Sequence, residues 1–273
     1  MALLDCKFFS ESLGLSTAMT VILPQSTDGQ IGMQNVASAG PHRTLYLLHG
    51  LSDDHTIWSR RTSIERYVAP LGLAVVMPAA HRSFYTDMRY GGAYETFIAE
   101  ELPRIATSFF RLSERPEDTF IAGLSMGGYG AFKIALNHPG NYAAAASLSG
   151  SLDIARRVSE DGPPRHVLRP DFTNIFGPEP ALAGTRHDLF WLLEQRAKEQ
   201  IALPRLYACC GELDSNYRYN AAFRELAMEV GVGLTWKSDP GFGHTWDYWD
   251  LRIQSVLEWM VTGTAQQDRI PDG

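Results

Sequence analysis

Thr119-Phe120-Ile121-Ala122-Gly123-Leu124-Ser125-Met126-Gly127-Gly128-Tyr129-Gly130 runs from a short apolar segment, through a serine bracketed by glycines, into a segment with helical character. The helical reading extends from Gly128 to Asn137 and stops at His138-Pro139-Gly140. Strand, sharp turn and helix in that order present a serine hydroxyl at the tip of a strained turn. Glycines two residues before and two after are needed because side chains there would collide. A G-x-S-x-G pentapeptide alone is weak in a chain with 24 glycines. The apolar run before it and the extra Gly128 and Gly130 after it raise its weight.

Outward from this turn, short apolar runs alternate with longer helix-period segments, the pattern of a mainly parallel sheet covered on both faces by helices. The expected strands are Ala18–Leu23, Thr44–Leu48, Leu73–Met77, Thr119–Ala122, Ala143–Leu148, Arg205–Cys209 and Gly233–Trp236. For 143–148 only the flanking Pro139-Gly140 and Gly150 argue against a helix. Tyr219, Phe223, Leu226, Ala227 and Val230 share one helical face, and so do Trp249, Ile253, Val256, Leu257 and Met260. A helix over 94–110 must kink at Pro103 or break after Glu100-Glu101. Residues 25–43 read as a hairpin or surface loop, and the tail from Gly263 as frayed. The expectation is one domain over residues 1–273, in which the proline-interrupted stretch 151–203 is an insertion or lid over the sheet.

A serine hydroxyl is a poor nucleophile at neutral pH, so the turn calls for a histidine base and an orienting carboxylate, in the chain order Ser, acid, His. Of the histidines after Ser125, only His244 lies in a short loop between a late strand and the last helix, within Gly241-Phe242-Gly243-His244-Thr245-Trp246. Asp214, on the loop after Arg205–Cys210, is the expected acid. Glu212 is its alternative and Asp239 a weaker rival. The expected oxyanion donors are the backbone N–H groups of Met126 and of Leu51, the latter following the His49-Gly50 turn. His49 itself reads as a hydrogen-bonded structural residue. Trp58, and Phe84 or Tyr85, are expected to wall the pocket. His49, Asp53, Asp54 and His55 crowd one loop but lack metal-ligand spacing, and no metal or cofactor is expected.

The bulk numbers bound the partners. A formal charge of −7 on 273 residues disfavours nucleic acid or an anionic membrane, and Arg60, Arg61 and Arg66 read as a solvated helix face. No apolar run is long enough to span a bilayer. Cys6, Cys209 and Cys210 read as thiols in a reducing compartment. With no leader pattern at Met1–Lys7, a soluble cytoplasmic location is the expectation.

Taken together, these residues resemble the esterase branch of the α/β-hydrolases that includes esterase D, the S-formylglutathione hydrolases and bacterial tributyrin esterases. The likeness rests on Leu45–Leu51 with Trp58 downstream, Glu100-Glu101-Leu102-Pro103, Gly123–Ala131, Gly211–Asp214 and Gly243-His244-Thr245-Trp246. It implies an α/β-hydrolase fold and a serine carboxylesterase acting on small-molecule, short-chain acyl esters. It is nearest to the tributyrin esterases, whose relatives are often homo-oligomers. The glutathione branch has histidine at the place of Tyr129 and a cysteine-containing Gly-Leu-Thr-Cys-Thr at the place of Gly50–Asp54. A thioesterase, an acyltransferase and a deacetylase of acetylated sugars remain open at this point, because they would share the same three residues. A non-catalytic binding module would not need all three.

Overall fold

The computed structural model describes residues 1–160, 169–178 and 181–263. Eight strands form one sheet: β1 (Ala2–Ser10), β2 (Leu15–Leu23), β3 (Thr44–Leu48), β4 (Ala74–Pro78), β5 (Thr119–Leu124), β6 (Ala144–Leu148), β7 (Arg205–Gly211) and β8 (Leu234–Asp239). Their order is β1-β2-β4-β3-β5-β6-β7-β8, antiparallel from β1 through β4 and parallel from there on. The helices are α1 (Ile57–Arg61), α2 (Ile64–Val68), α3 (Tyr94–Thr96), α4 (Leu102–Phe109), α5 (Met126–Asn137), α6 (Ile154–Glu160), α7 (Arg169–Phe176), α8 (Leu189–Lys198), α9 (Tyr217–Glu229) and α10 (Trp246–Thr262). No helix among the described residues is long and apolar enough to cross a membrane.

Both faces of the sheet are buried, and the strands alternate between two cores. Tyr46, Leu48 and Ile121 face one with Leu102, Ile134, Leu189 and Phe223 of α4, α5, α8 and α9. Leu45, Leu47, Phe120 and Ala122 face the other with Trp58, Ile64 and Ile253 of α1, α2 and α10. That two-sided burial explains why β3, β4 and β6 are buried at every position and read as mainly apolar runs rather than alternating ones. The alanines of β6 are small because helices approach closely on both faces. A Cβ on Gly128 of α5, for instance, would lie 2.6 Å from Oγ of Ser147.

Strand β1 escapes a reading by apolar pattern. It is an edge strand whose Leu3 and Phe9 are exposed, held by its ladder to β2 from Ala2↔Leu23 to Ser10↔Leu15. Its turn is tied down by Glu101, whose carboxylate accepts from Ser10 Oγ (2.6 Å) and from the N–H groups of Glu11 (2.8 Å) and Ser12 (3.1 Å). The break expected near Pro103 is a π-helical turn, Phe97–Glu101, between α3 and α4, with Pro103 in the first turn of α4. Proline has no N–H to give Ala99, and the Asn141 side-chain amide donates to that carbonyl instead, at 3.4 Å.

Residues 25–43 form a loop without a hairpin ladder. Of the stretch 151–203, the described part lies between β6 and β7 and carries α6, α7 and α8. Pro163, Pro164 and Pro180, and the tail beyond Gly263, lie outside the described residues.

Candidate active site

Parallel strands β5, β7 and β8 end at the same edge of the sheet, and the loops leaving those ends carry Ser125, Asp214 and His244. This is where open α/β sheets bind ligands. Ser125 joins β5 to α5 with φ 53° and ψ −115°, a conformation that costs an L-residue on the order of 1–3 kcal/mol. The turn is over-determined: Ser125 N–H donates to Leu148 O (2.9 Å), and Ser125 O accepts from Tyr129 N (3.1 Å) and Ser151 N (3.1 Å). Both pentapeptide glycines are required sterically. A Cβ on Gly123 would lie 2.4 Å from the Gly127 carbonyl, and one on Gly127 would lie 2.6 Å from Leu48 O.

His244 Nε2 lies 3.0 Å from Ser125 Oγ, and its Nδ1 lies 2.8 Å from Asp214 Oδ2. The other oxygen, Oδ1, accepts from Asn216 N–H at 2.8 Å. Burial pushes the Asp214 carboxyl up, but the hydrogen bonds from His244 and Asn216 outweigh it, and the group stays below the ordinary carboxylate value. An ionised Asp214 only accepts, so His244 carries its proton on Nδ1 and leaves Nε2 free to take the proton of Ser125. The imidazole stands edge-on to Trp249 at 4.9 Å.

The two rival acids are occupied elsewhere. Glu212 is exposed and accepts from Ser238 Oγ at 3.3 Å. Asp239 is bidentate to the Arg252 guanidinium, with Nε–Oδ2 2.7 Å.

A pocket of about 180 Å³ opens at Ser125, lined by Leu51, Phe84, Met126, Ser151, Ile154, Arg157, Phe172, Ser215, Asn216 and His244. Leu51 and Met126, the expected oxyanion donors, are both in this lining, and within the described residues neither backbone N–H is taken up by an acceptor. His49 shapes the Leu51 side. Gly50 O can only accept, so Nδ1 donates to it (2.7 Å), and Nε2 accepts from Ala80 N–H (3.0 Å). Burial holds this ring neutral, its pKa lowered to about 4.

Trp58 and Tyr85 do not wall the pocket, which corrects the sequence expectation. Trp58 is buried on the opposite face of the sheet and donates its indole N–H to Leu48 O at 3.0 Å. It packs on Trp246 (5.3 Å), which packs on Trp249 (5.2 Å), so it braces His244 at third hand. Tyr85 is fully buried, with its ring where a Cβ on Gly130 would sit 2.4 Å away and its hydroxyl donating to His49 O at 2.9 Å. Phe84, its neighbour, is the residue that reaches the pocket, and it meets Phe172 of α7 at 5.1 Å.

Sequence reasoning gave no role to Ile154, Arg157, Phe172 or Asn216. Asn216 was detectable in principle as a capping-type residue just before α9. The other three sit in the stretch where periodicity fails. His49, Asp53, Asp54 and His55 do not converge: Asp54 accepts from Thr56, and His55 lies 3.5 Å from Asp5.

A strained serine at the end of a central parallel strand, hydrogen-bonded to a histidine that an aspartate orients, defines a hydrolase of the α/β-hydrolase fold. Residues 10–259 match the family described as "Putative esterase", and the chain belongs to that family; it is a carboxylic ester hydrolase. An acetyl esterase of Caldicellulosiruptor saccharolyticus is 29% identical over 263 residues, 95% of this chain and 98% of its own. Among solved structures, a fluorophosphonate-binding serine hydrolase of Staphylococcus aureus is 35% identical with a TM-score of 0.84. An S-formylglutathione hydrolase of the same organism is 33% identical with a TM-score of 0.80. Each match covers 95% of this chain and 98% of the other.

Proposed function

We propose that the protein hydrolyses short-chain acyl esters of small alcohols through an acyl-enzyme on Ser125. The observation that carries this is the hydrogen-bonded line Ser125–His244–Asp214 opening onto a small pocket with Leu51, Phe84, Ile154 and Phe172 in its wall. His244 Nε2 removes the Ser125 proton as Oγ adds to the ester carbonyl. The resulting alkoxide is stabilised by the N–H groups of Leu51 and Met126, the second helped by its place in the first turn of α5. His244 returns the proton to the departing alcohol. A water then repeats the sequence on the acyl-enzyme and frees Ser125.

Pocket size supports a short acyl group. A cavity of about 150 Å³ accommodates a benzene ring, so about 180 Å³ here holds roughly six or seven non-hydrogen atoms. Residues 151–203 act in this reading as an insertion that supplies one wall through Ile154, Arg157 and Phe172. Three cysteines without disulfide partners, two of them buried, support the cytoplasmic location expected from the sequence.

Across p-nitrophenyl esters from acetate to octanoate, kcat/KM should peak between two and four carbons and fall about tenfold or more by eight, since each misplaced methylene costs about 1 kcal/mol or more. Equal or better turnover of octanoate contradicts the short-chain reading. A large preference for formyl-glutathione, assayed alongside, moves the substrate class to thioesters.

A further inference from the structure

Phe84 and Phe172 give one part of the pocket an apolar wall, but the same pocket holds a guanidinium. Arg157, on α6, is half-buried and donates through Nη1 to Asn216 Oδ1 at 3.3 Å, with its guanidinium 5.7 Å from the Tyr219 ring. A guanidinium has five N–H donors, and among the described residues Arg157 spends one of them on a long bond to a neutral amide. Its neighbour Arg156 behaves differently and pairs with Asp153 at 3.3 Å. Among the described residues no carboxylate lies within ion-pair distance of Arg157, in a protein whose formal charge is −7. The cation is also fixed relative to the reacting serine. Arg157 bonds to Asn216, Asn216 N–H bonds to Asp214, and Asp214 bonds to His244, which meets Ser125.

We propose that Arg157 is a specificity residue that receives a carboxylate carried by the substrate, so that the preferred ester is an anion with its carboxylate a few atoms from the scissile carbonyl. A planar guanidinium fork binds a carboxylate through two parallel hydrogen bonds, and in a part-buried pocket such a pair outweighs a neutral contact. The inference rests on the esterase reading of Ser125 and extends it to the substrate's charge. The carboxylate can belong to the acyl half or to the alcohol half, and the test separates the two.

Isosteric pairs read this directly. On the acyl side, ethyl hydrogen succinate is compared with ethyl 4-methylpentanoate. On the alcohol side, 3-acetoxypropanoate is compared with 3-methylbutyl acetate. In at least one pair the wild-type protein is expected to favour the anion by about tenfold or more in kcat/KM, the scale of one charge-assisted hydrogen bond. Arg157→Gln should collapse that anion-to-neutral ratio in the same pair, and Arg157→Lys should restore part of it. A general loss of folding or turnover lowers both members of a pair and leaves the ratio unmoved, as would a merely structural role for Arg157. Ratios in both pairs that are the same in wild type and Arg157→Gln, with neutral esters still turned over, overturn this inference alone. Failure of the wild type to hydrolyse any of the four esters overturns the esterase reading and this inference with it.

Discussion

Asp214→Asn is expected to lower kcat for p-nitrophenyl butyrate by about four orders of magnitude, whereas Glu212→Gln should stay within about threefold of wild type. Both carboxylate oxygens of Asp214 accept, one from His244 Nδ1–H and the other from Asn216 N–H. An amide of the same shape satisfies only one of these donors. If its NH₂ faces His244, the ring moves its proton to Nε2 and can no longer accept from Ser125. If the NH₂ faces Asn216, two donors meet and the loop that places the acid loosens. Glu212, exposed on that loop and turned toward Ser238, has no contact through which to act on His244. A large loss in Glu212→Gln with little change in Asp214→Asn would exchange their roles.

Lys133→Met should cost about 3–5 kcal/mol of stability, the usual result of removing one partner from a buried ion pair. For a chain of this length that is a fall in melting temperature of roughly 5–9 °C by calorimetry. Lys133 is fully buried on α5, and its three ammonium protons have three acceptors: Glu95 Oε2 at 2.8 Å, Thr86 Oγ1 at 2.7 Å and Tyr85 O at 3.1 Å. Burial lowers its pKa to about 8, yet facing Glu95 it remains protonated at neutral pH. Burial likewise pushes the Glu95 carboxyl up, but His138, Lys133 and Arg186 overcome that and hold it at about 2. Methionine would leave Glu95, 2% exposed, with Arg186 at 2.6 Å as its main remaining cation.

The variant should also weaken the pocket. Phe84 and Tyr85 both have positive φ, 50° and 52°, and the bonds from Lys133 to Tyr85 O and Thr86 restrain that strained segment. Its release would move Phe84 from the pocket wall. A melting temperature within about 2 °C of wild type would show that the pair contributes little.

Lys133 also illustrates what the sequence hides. A lysine on a glycine-rich helix reads as an ordinary solvated residue, and its burial becomes visible only when Glu95 and Thr86, far away in the chain, are placed beside it. Trp58 and Tyr85 failed as pocket residues for the same reason. An aromatic next to the right loop is easily found in a sequence, but which face of the sheet it enters depends on contacts with Leu48, Trp246 and His49. That Ser125, Asp214 and His244 meet was legible because each stands on a short loop leaving a strand, where chain order and glycine spacing constrain direction. The π-turn before Pro103 was legible as a break. Its form was not, since a proline marks where the regular ladder must fail but not that Leu102 N–H reaches back five residues to Phe97 O.

The nucleophile carries the whole account, and covalent labelling tests it most directly. Treatment with a fluorophosphonate, followed by intact-mass and peptide mapping, should add one phosphonyl group per chain, on Ser125 alone, and none to Ser125→Ala. An unlabelled wild-type protein, or a label that persists in Ser125→Ala at full stoichiometry, would contradict it.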